Sequence, residues 1–592
     1  MSAEEFLAAK ASEAVAALFG AEFPASSLQV ATTRKDFEGD YTIVVFPLLK
    51  ISHLAPEATG KALGDWLTAN CPEIASFNVV KGFLNICLSS DYWRNALQQI
   101  CAAENYGQLP STGKTVMVEF SSPNTNKPLH LGHIRNNLLG ASVSNILQAA
   151  GNKVIKATLV NDRGIHICKS MLAWKQLFNG ATPASTGKKG DHLVGDCYVA
   201  FSNLLKQQTA QLMEQGLSKD EAEKAAPCMK QAHEMLVKWE QGDSEVRALW
   251  EMMNGWVFEG FDETYRSLGI SFDKVDYEHD TYLLGKELVQ KGLDMGVFTR
   301  DPDGSVWCDL TADGLDRKLV LRGDGTSVYI TQDLGTAERR FAQYSLDSHV
   351  YVVGNEQDYH FQVLKLILGK LGYDWASQIY HLSYGMVELP EGKMKSREGT
   401  VVDADDLIED MYNEAKATSE ESGKLADMPE EEREKLYHMI GLGALKYFIL
   451  KVDPKKTMLF DPRESIDFNG NTGPFIQYTH ARICSILRKA EAEGRSPEVG
   501  DVVLNPKEVR LVKLLSAYPS KVQEAADNFS PALLANYSYE LAKEFNQYYH
   551  DTPILREPDA KLLSARLSLI SNIARVLRAA MGLLGIELPY RM

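Results

Sequence analysis

A strand, helix, strand pattern between residues 115 and 160 constrains the fold of this chain more than any other feature. The apolar run TVMVEF at 115–120 is typical of a buried strand, and KVIKATLV at 153–160 is typical of a second one. Between them the apolar residues from His133 to Ala150 fall largely on one helical face, and Gly151 and Asn152 end the helix. Because such a connection within one sheet is right-handed, the pattern predicts two parallel strands.

The same pattern returns later in the chain. SHVYVVGN at 348–355 and IYHLSYGMV at 379–387 read as strands, with a helix from about Gln357 to Leu371 between them. Two such units predict an α/β domain with a Rossmann-like, doubly wound parallel sheet, in which ligands bind beyond the carboxyl ends of the strands. A chain of 592 residues is too long for one core, so we expect further domains.

Breaker-rich stretches divide the chain into four expected segments. Residues 1–110 alternate helical stretches with short apolar runs and end at LPSTGK, which predicts an N-terminal α+β domain. Residues 111–400 hold the parallel sheet, interrupted at about 179–273 by a polar, helical insertion. Residues 401–465 form a linking helical segment, and residues 466–592 form an all-helical C-terminal domain.

Composition argues against two classes of protein. There is no run of 18 apolar residues, and the N-terminus carries Glu4 and Glu5 instead of the basic start of a signal peptide, so we expect neither a membrane span nor secretion. The eight cysteines include no CxxC pair, which argues against a disulfide framework and a Cys-rich zinc site. We therefore expect a cytoplasmic protein without membrane association.

The net charge of −17 argues against a nucleic-acid partner, because such binding depends on Lys and Arg neutralising phosphates. Residues 471–592 are the exception, with 15 Lys and Arg against 13 Asp and Glu. We expect a local positive groove there if the chain binds a polyanion, although on charge alone an ordinary solvated surface is the better explanation.

The loop after the first strand carries the motif HxGH at 130–133 and leads into the helix. A helix N-terminus attracts phosphate, Gly132 lets a nucleotide approach the backbone, and His130 and His133 can donate hydrogen bonds to phosphate oxygens. Four letters alone also describe a pair of surface histidines. The strand before the motif and the helix after it favour the phosphate site.

A basic loop, GKMKSREGT at 392–400, follows the second unit. Such a loop can place positive charge on a triphosphate as charge develops during displacement at phosphorus, although a solvated charged loop is the commoner interpretation. On one sheet with the HxGH motif, the loop becomes a more specific indication of nucleotide chemistry.

The two motifs resemble the HIGH and KMSKS signatures of class I aminoacyl-tRNA synthetases, and VEFSSPNTNKPLHLGHIRNN closely resembles the arginyl-tRNA synthetase family. Further matches cover essentially the whole chain: VYITQDLGTAERR, YVVGNEQDYHFQVLK, GPFIQYTHARICSILRK and ELPYRM. The resemblance implies a ligase that activates L-arginine with ATP and Mg²⁺ to arginyl-adenylate, releases pyrophosphate, and transfers the arginyl group to the terminal ribose of tRNA(Arg). It also implies tRNA-dependent activation, a monomer, an N-terminal domain that contacts tRNA, and a C-terminal anticodon-binding domain.

The resemblance implies an arginine site made of acidic and polar residues: Glu119, Asn124, Tyr329, Asp333 and Gln357. This is chemically reasonable, because the planar guanidinium fork pairs best with carboxylates and neutral acceptors in fixed positions, and a lysine ammonium cannot fill that fork. Each residue has a structural alternative. Glu119 could be half of a buried ion pair, and Tyr329 could be a core aromatic.

For ATP, the resemblance implies contacts from the two motifs and, close to the nucleoside, from two later residues: His130, Gly132, His133, Lys393, Lys395, His360 and Val387. The catalytic group would comprise His130, His133 and one lysine. KMSKS would place its second lysine at position 396, which is Ser396 here. The resemblance implies that Lys127 compensates, with Lys395 as its rival. We expect Lys127 to dominate, because the loop at the helix start is the more rigid platform.

The sequence leaves the roles of four further residues undecided. We expect Cys168 to be a buried core residue. Tyr478, Tyr548 and Tyr549 could either stack on unpaired bases or belong to the core.

A small-molecule nucleotidyltransferase could share the HxGH motif, but it would not need the C-terminal helices. A catalytically silent tRNA-binding paralogue would be expected to lose parts of the ATP site, whereas both motifs are present here. No protein ligand for a metal is predicted.

Overall fold

The computed structural model describes residues 3–34, 36–389, 392–393, 402–421, 425 and 427–592. Its N-terminal part contains α1 (Ala3–Phe19), β1 (Val30–Thr32), β2 (Tyr41–Val44), α2 (Leu49–Ser52), α3 (Pro56–Asn70), β3 (Ile74–Val80), β4 (Phe83–Leu88) and α4 (Ser90–Ala102). The four strands form an antiparallel sheet in the order β1-β2-β4-β3. Ser89 caps α4 by accepting a hydrogen bond from the backbone N–H of Tyr92, so the chain leaves this sheet into a helix with a defined start.

The middle of the chain contains β5 (Thr115–Glu119), α5 (Leu131–Ala149), β6 (Lys153–Val160), α6 (Ile165–Leu177), α7 (Pro183–Thr186), α8 (Gly190–Glu214), α9 (Lys219–Ala225), α10 (Pro227–Glu240), α11 (Ser244–Leu268), β7 (Lys274–Tyr277), α12 (Glu278–Thr281), α13 (Lys286–Asp294), β8 (Phe298–Arg300), β9 (Val306–Cys308), β10 (Lys318–Leu321), α14 (Tyr329–Tyr344), β11 (Ser348–Gly354), α15 (Asp358–Lys370), β12 (Ile379–Tyr384), β13 (Val387–Leu389) and β14 (Gly392–Lys393).

A five-stranded parallel sheet in the order β12-β11-β5-β6-β7 is the centre of this part. Strand β5 is the middle strand, and Glu119 at its carboxyl end lies between Tyr351 and Ala157 in register. The predicted doubly wound parallel sheet is therefore confirmed. The edge strand β7 and the antiparallel sheet β10-β9-β8 are additions that hydrophobic patterning did not indicate, because both consist of strands of only three or four residues.

Helices α7 to α11 occupy the connection between β6 and β7. The longest of them, α8 and α11, have 25 residues each and pack on one another. Trp250 and Asn254 of α11 donate hydrogen bonds of 2.6 and 3.2 Å to the backbone oxygen of Asp162, at the end of β6. The inserted helices are thus fastened to the carboxyl edge of the parallel sheet.

The remaining elements are helical apart from one short strand: α16 (Ala404–Glu421), α17 (Glu430–Leu450), β15 (Met458–Leu459), α18 (Pro462–Ser465), α19 (Gly473–Ala492), α20 (Pro506–Ser516), α21 (Tyr518–Asp527), α22 (Pro531–Asp551) and α23 (Ala560–Leu583). The N-terminal part packs on these helices: Tyr106 donates to the Leu515 oxygen at 2.9 Å, and Arg575 donates to the Ala103 oxygen at 2.6 Å. No α-helix in the described part of the chain combines the length and apolar character that a membrane span requires.

One polar residue in the middle of the parallel sheet lacks the partners that burial demands. His349 on β11 is fully buried, and neither of its ring nitrogens has a hydrogen-bond partner among the described residues. Its ring packs against Tyr351 with centroids 3.9 Å apart. Burial and the nearby Arg340 lower the pKa of His349 well below its ordinary value, so the folded protein holds this imidazole neutral.

We therefore expect His349 to make the folded protein less stable as the pH is lowered. The unfolded chain binds a proton at a pKa near 6.5 and the folded chain does not, so the contribution of His349 is lost as pH falls below about 6.5, at up to about 1.4 kcal/mol per pH unit. His349→Phe keeps the ring shape and removes that loss. Urea unfolding at pH 7.5 and 5.5 should show a smaller pH effect for H349F than for the parent, whereas H550Q, at an exposed histidine, should match the parent.

Candidate active site

The HxGH motif lies at the carboxyl end of β5, where the loop of residues 120–130 leads into α5. His130 is the N-cap of α5, and its Nδ1 accepts the backbone N–H of Gly132 at 3.1 Å. The Nδ1 of His133 accepts the backbone N–H of His130, also at 3.1 Å. This reciprocal capping box holds the two rings together, with their centroids 3.9 Å apart.

These hydrogen bonds determine what the two imidazoles can offer a ligand. Because each Nδ1 accepts a backbone N–H, the proton of each neutral ring must lie on Nε2. Burial lowers the pKa of His130 to about 4, with Lys127 contributing, and lowers the pKa of His133 well below its ordinary value. Both rings are therefore neutral at pH 7, and each has one N–H donor for an anionic oxygen.

Lys127 lies in the same loop as His130 and acts electrostatically on both histidines. It is half-buried, burial lowers its pKa, and it has no carboxylate partner among the described residues. An ammonium taken partly out of water without a counter-ion favours the binding of an anion. Lys127, His130 and the N-terminus of α5 together form a site with the properties expected for phosphate.

Arg135 and Asn136, which follow the motif, anchor the start of α5 to backbone segments around it. The buried guanidinium of Arg135 donates to the backbone oxygens of Met386, Pro454 and Lys456 at 3.3, 3.1 and 2.8 Å. Asn136 accepts the backbone N–H of Ser121 at 2.5 Å and donates to the Val352 oxygen at 2.8 Å. Both contacts lie in the string HIRNN, but sequence reasoning assigned them no role.

A second polar group lies at the carboxyl end of the middle strand. Glu119 is buried and hydrogen-bonded to Arg340, whose side chain is 1% exposed. Arg340 also donates to Asp276 of β7 through Nε at 3.1 Å and Nη2 at 2.8 Å. The structural alternative for Glu119, half of a buried ion pair, is thus present in the structure. One carboxylate oxygen remains directed toward Ser122, 3.4 Å away.

Removing Arg340 should destabilise the fold strongly. Arg340→Met leaves Glu119 and Asp276 buried without their main counter-charge, which costs about 3–5 kcal/mol in other proteins. Urea unfolding measures this loss. The matched control is Arg339→Met, because Arg339 contacts the same Asp276 but is 35% exposed, and a surface pair contributes about 0–1 kcal/mol. Equal losses in the two variants would contradict a special role for the buried pair.

One face of α14 brings the predicted arginine ligands toward Glu119. Tyr329, Asp333 and Arg340 are separated by four and seven residues, which places all three on one side of a helix. Arg340 contacts Glu119, so this face is directed at the carboxyl edge of the sheet. Tyr329 is 78% exposed, and the interpretation of Tyr329 as a core aromatic is wrong. His360 of α15 donates to Asp333 at 2.6 Å, so a predicted ATP residue and a predicted arginine residue are in contact.

The other predicted residues lie around the same edge. Asn124 is exposed and forms a bridge with Asn161 at the end of β6, and Gln357 is exposed just before α15. Val387 begins β13 and is buried against β15. The backbone of Lys393 belongs to β14, and Lys395 lies outside the described residues.

Glu278, at the start of α12, is an acid that sequence reasoning missed. It follows β7 directly, so it lies at the same carboxyl edge as Glu119. Burial, with Asp162 and Asp333 nearby and Arg163 opposing them, raises the pKa of Glu278 to about 7. Asp162 itself accepts the His279 ring N–H at 2.5 Å. An acidic residue directly after a strand would have indicated a site residue. The strand β7 has only four residues, so hydrophobic patterning did not predict it.

The C-terminal part of the chain contains a cavity of about 390 Å³, lined by Phe468, Asn469, Tyr478, Arg482 and Met592 among others. The Arg482 guanidinium lies 4.8 Å from the Tyr478 ring centre and 5.6 Å from that of Tyr549. Tyr548, by contrast, is 1% exposed and bonded to Glu508, so it belongs to the core. Cys168 is also core, and burial raises the pKa of its thiol to about 12.

One group of side chains in the described ranges has the spacing of a metal site, but its contacts do not suit a divalent cation. The ligand atoms of Asp191, His192 and Asp405 all lie within 4.8 Å of one another. Lys189 already places its ammonium 2.5 Å from Asp405 and 3.4 Å from Asp191. An ammonium therefore occupies the position that a cation would need.

Comparison with known proteins identifies two family domains. Residues 96–461 match the catalytic domain of "tRNA synthetases class I (R)", and residues 476–592 match the "DALR anticodon binding domain". The arginine–tRNA ligase of Bacteroides thetaiotaomicron is 58% identical over 597 aligned positions, and that of Flavobacterium psychrophilum is 54% identical over 605, each alignment covering 100% of both chains.

Solved structures agree with these matches. The arginyl-tRNA synthetase of Thermus thermophilus aligns with a TM-score of 0.81 and 26% identity over 100% of both chains. The arginyl-tRNA synthetase of Plasmodium falciparum, at 18% identity, has the same fold with a TM-score of 0.75 over 99% of both chains.

Proposed function

Because the chain belongs to the arginyl-tRNA synthetase family, we propose that the two polar groups at the carboxyl edge of its sheet bind ATP and L-arginine side by side. The activity is that of a class I arginine–tRNA ligase. The arginine carboxylate attacks the α-phosphorus of ATP and pyrophosphate leaves. The terminal ribose hydroxyl of tRNA(Arg) then attacks the arginyl carbonyl of the adenylate, and AMP leaves. The protein contributes position and charge to both steps, without a covalent intermediate on the enzyme.

ATP binds at the start of α5. The Nε2–H groups of His130 and His133 donate to phosphate oxygens, and Gly132 allows the phosphates to approach the backbone. Lys127 supplies the positive charge that stabilises the transition state, assisted from the basic loop by Lys393 and Lys395. His360 and Val387 lie toward the nucleoside. Mg²⁺ enters bound to the ATP phosphates, because it commonly binds through substrate phosphates and keeps several of its waters.

L-Arginine binds against the exposed face of α14. Asp333 and Glu119 accept the guanidinium, and the hydroxyl of Tyr329 adds a further hydrogen bond. Asn124 and Gln357, both exposed at the sheet edge, hold the α-amino and carboxylate end. A single observation carries this assignment: Arg340, on the same face of α14 as Tyr329 and Asp333, holds the Glu119 carboxylate at the end of the middle strand.

The C-terminal helices and the N-terminal domain bind tRNA. The cavity around Tyr478 and Arg482 suits an unpaired anticodon base, because an aromatic ring and a guanidinium both stack on bases. The N-terminal domain contacts tRNA as well, supported by its packing on the C-terminal helices. Activation requires bound tRNA. The chain acts as a monomer in the cytoplasm, in keeping with its eight free cysteines.

Arginine-dependent exchange of pyrophosphate into ATP tests the proposal. We expect exchange with arginine in the presence of tRNA(Arg) and background levels without tRNA. Lysine and citrulline should give background under both conditions, because an ammonium cannot fill a guanidinium fork and citrulline lacks the charge.

The possible results separate the parts of the proposal. Exchange with arginine alone would retain the arginine and ATP sites and contradict the tRNA requirement. Exchange supported by citrulline would contradict recognition by Glu119 and Asp333. The absence of exchange under any condition would contradict catalysis and favour a silent tRNA-binding protein.

A further inference from the structure

The inserted helix α8 begins against the first turn of α16. Asp405, in that turn, accepts hydrogen bonds from Lys189 Nζ at 2.5 Å and from His192 Nε2 at 3.0 Å. Thr264 of α11 donates to the other oxygen of the same carboxylate at 2.8 Å. Three donors from the insertion therefore hold one side chain of α16.

The chain just before Asp405 pairs with the HxGH loop. The backbone N–H of Leu131 donates to the Val402 oxygen, and that of Ala404 donates to the Leu129 oxygen, both at 3.0 Å. His130 lies directly opposite Asp403 in this antiparallel bridge. The carboxylate held by the insertion is thus two residues from the backbone that supports His130.

Helix α8 also approaches the HxGH loop directly, at Gly195. A Cβ atom at this position would lie 2.8 Å from Cδ of Pro128, and its next neighbour would be the Cα of Lys127 at 3.8 Å. The proline ring is rigid, so it cannot move aside as the end of a flexible side chain could. Glycine within a helix costs about 1 kcal/mol relative to alanine, and the close approach to Pro128 provides a reason for it here.

We propose that Lys189, His192 and Gly195 of α8 are positioning residues for the ATP phosphate site. They hold the segment from Lys127 to His133 from two sides, through Asp405 and through Pro128, without touching substrate. The inference rests on the proposed role of Lys127 and His130 in binding ATP. It adds that the insertion between β6 and β7 determines the geometry of that site.

Steady-state aminoacylation by the full-length protein tests this role, with ATP varied at saturating arginine and tRNA. We expect Gly195→Ala and His192→Leu each to lower kcat/KM for ATP by tenfold or more, while KM for arginine and for tRNA changes less than twofold. His192→Gln can place an amide N–H near the position of Nε2, so it should recover kcat/KM to within threefold of the parent. Asp196→Asn is the matched control, because Asp196 lies on the same helix in an exposed pair with Lys188.

Thermal melting of the same variants separates positioning from folding. Alanine is the better helix former by about 1 kcal/mol, which offsets part of the strain against Pro128, so G195A should melt close to the temperature of the parent while its ATP kinetics worsen. Unchanged ATP kinetics in G195A would overturn the proposal. A uniform loss in all three substrates with a lower melting temperature in H192L would also overturn it. His130→Asn with unchanged ATP kinetics would instead contradict the proposed ATP site itself.

Discussion

Replacing Lys127 by methionine should lower kcat for arginyl-adenylate formation about 30- to 900-fold. This range corresponds to the loss of about 2–4 kcal/mol of transition-state stabilisation, the scale of a preorganised group aimed at developing charge. Lys127 suits this role because its half-buried ammonium lies in the loop leading to α5 and lacks a carboxylate partner among the described residues. Methionine keeps the length and apolar body of the side chain, so packing should be preserved. The rate of pyrophosphate exchange into ATP, with tRNA(Arg) present and ATP and arginine saturating, measures the effect.

Two further variants test whether the effect depends on the positive charge and whether it is specific to Lys127. Lys127→Arg retains the positive charge but not the compact ammonium, so it should recover only part of the rate. Lys395→Met tests the rival lysine of the basic loop, and we expect it to cost less than K127M. A larger loss in K395M than in K127M would reverse the assignment of the dominant cation.

Replacing Asp333 by asparagine should raise KM for arginine about 10- to 150-fold, with a much smaller effect on KM for ATP. A hydrogen bond to a charged group contributes about 1.5–3 kcal/mol, and the uncharged amide cannot neutralise the guanidinium. Asp333 is the better residue to test than Glu119, because Glu119 also holds Arg340 and its removal would disturb the fold. Aminoacylation with arginine varied measures the change, and citrulline should compete with arginine more effectively in D333N.

A neighbouring carboxylate provides the control for D333N. Glu338→Gln removes a negative charge from the same helix at a half-buried position. It should leave KM for arginine within twofold of the parent value. An equal rise in the two variants would show that the general field of α14, and not a direct contact of Asp333, attracts the substrate.

Much of the nucleotide site was predictable, because its parts are consecutive in the chain. The strand TVMVEF, the loop with His130 and the helix after it form one continuous unit, and its apolar periodicity indicates each element without knowledge of the rest. The structure confirms a helix at Leu131–Ala149 and strands at Thr115–Glu119 and Lys153–Val160. The tautomers of the two histidines follow from backbone hydrogen bonds within the same turn, so they are local consequences of the motif. Their lowered pKa values come mainly from burial, which depends on the packing around the motif.

The residues of the proposed arginine site were predictable only through family resemblance. Glu119 and Asp333 are more than 200 residues apart, and periodicity does not indicate which helix face meets which strand. The signal for Arg340 was present in the string GTAERR, but its burial and its contacts with Glu119 and Asp276 follow from the packing of α14 on the sheet. Tyr548 and Tyr549 make the same point, since adjacent aromatics on one helix divide into a buried and an exposed residue.

The sequence by itself determined the elements, the parallel sheet and the helix start at which we propose that phosphate binds, because these depend on local propensity, apolar period and a short motif. The tertiary structure alone decided which distant groups became neighbours: Arg340 with Glu119, Arg135 with the 454–456 backbone, and α8 with Pro128 and Asp405. The physical reason is that these contacts depend on close approach between elements remote in the chain, and a guanidinium, a glycine or a carboxylate acquires its role only from what is packed against it.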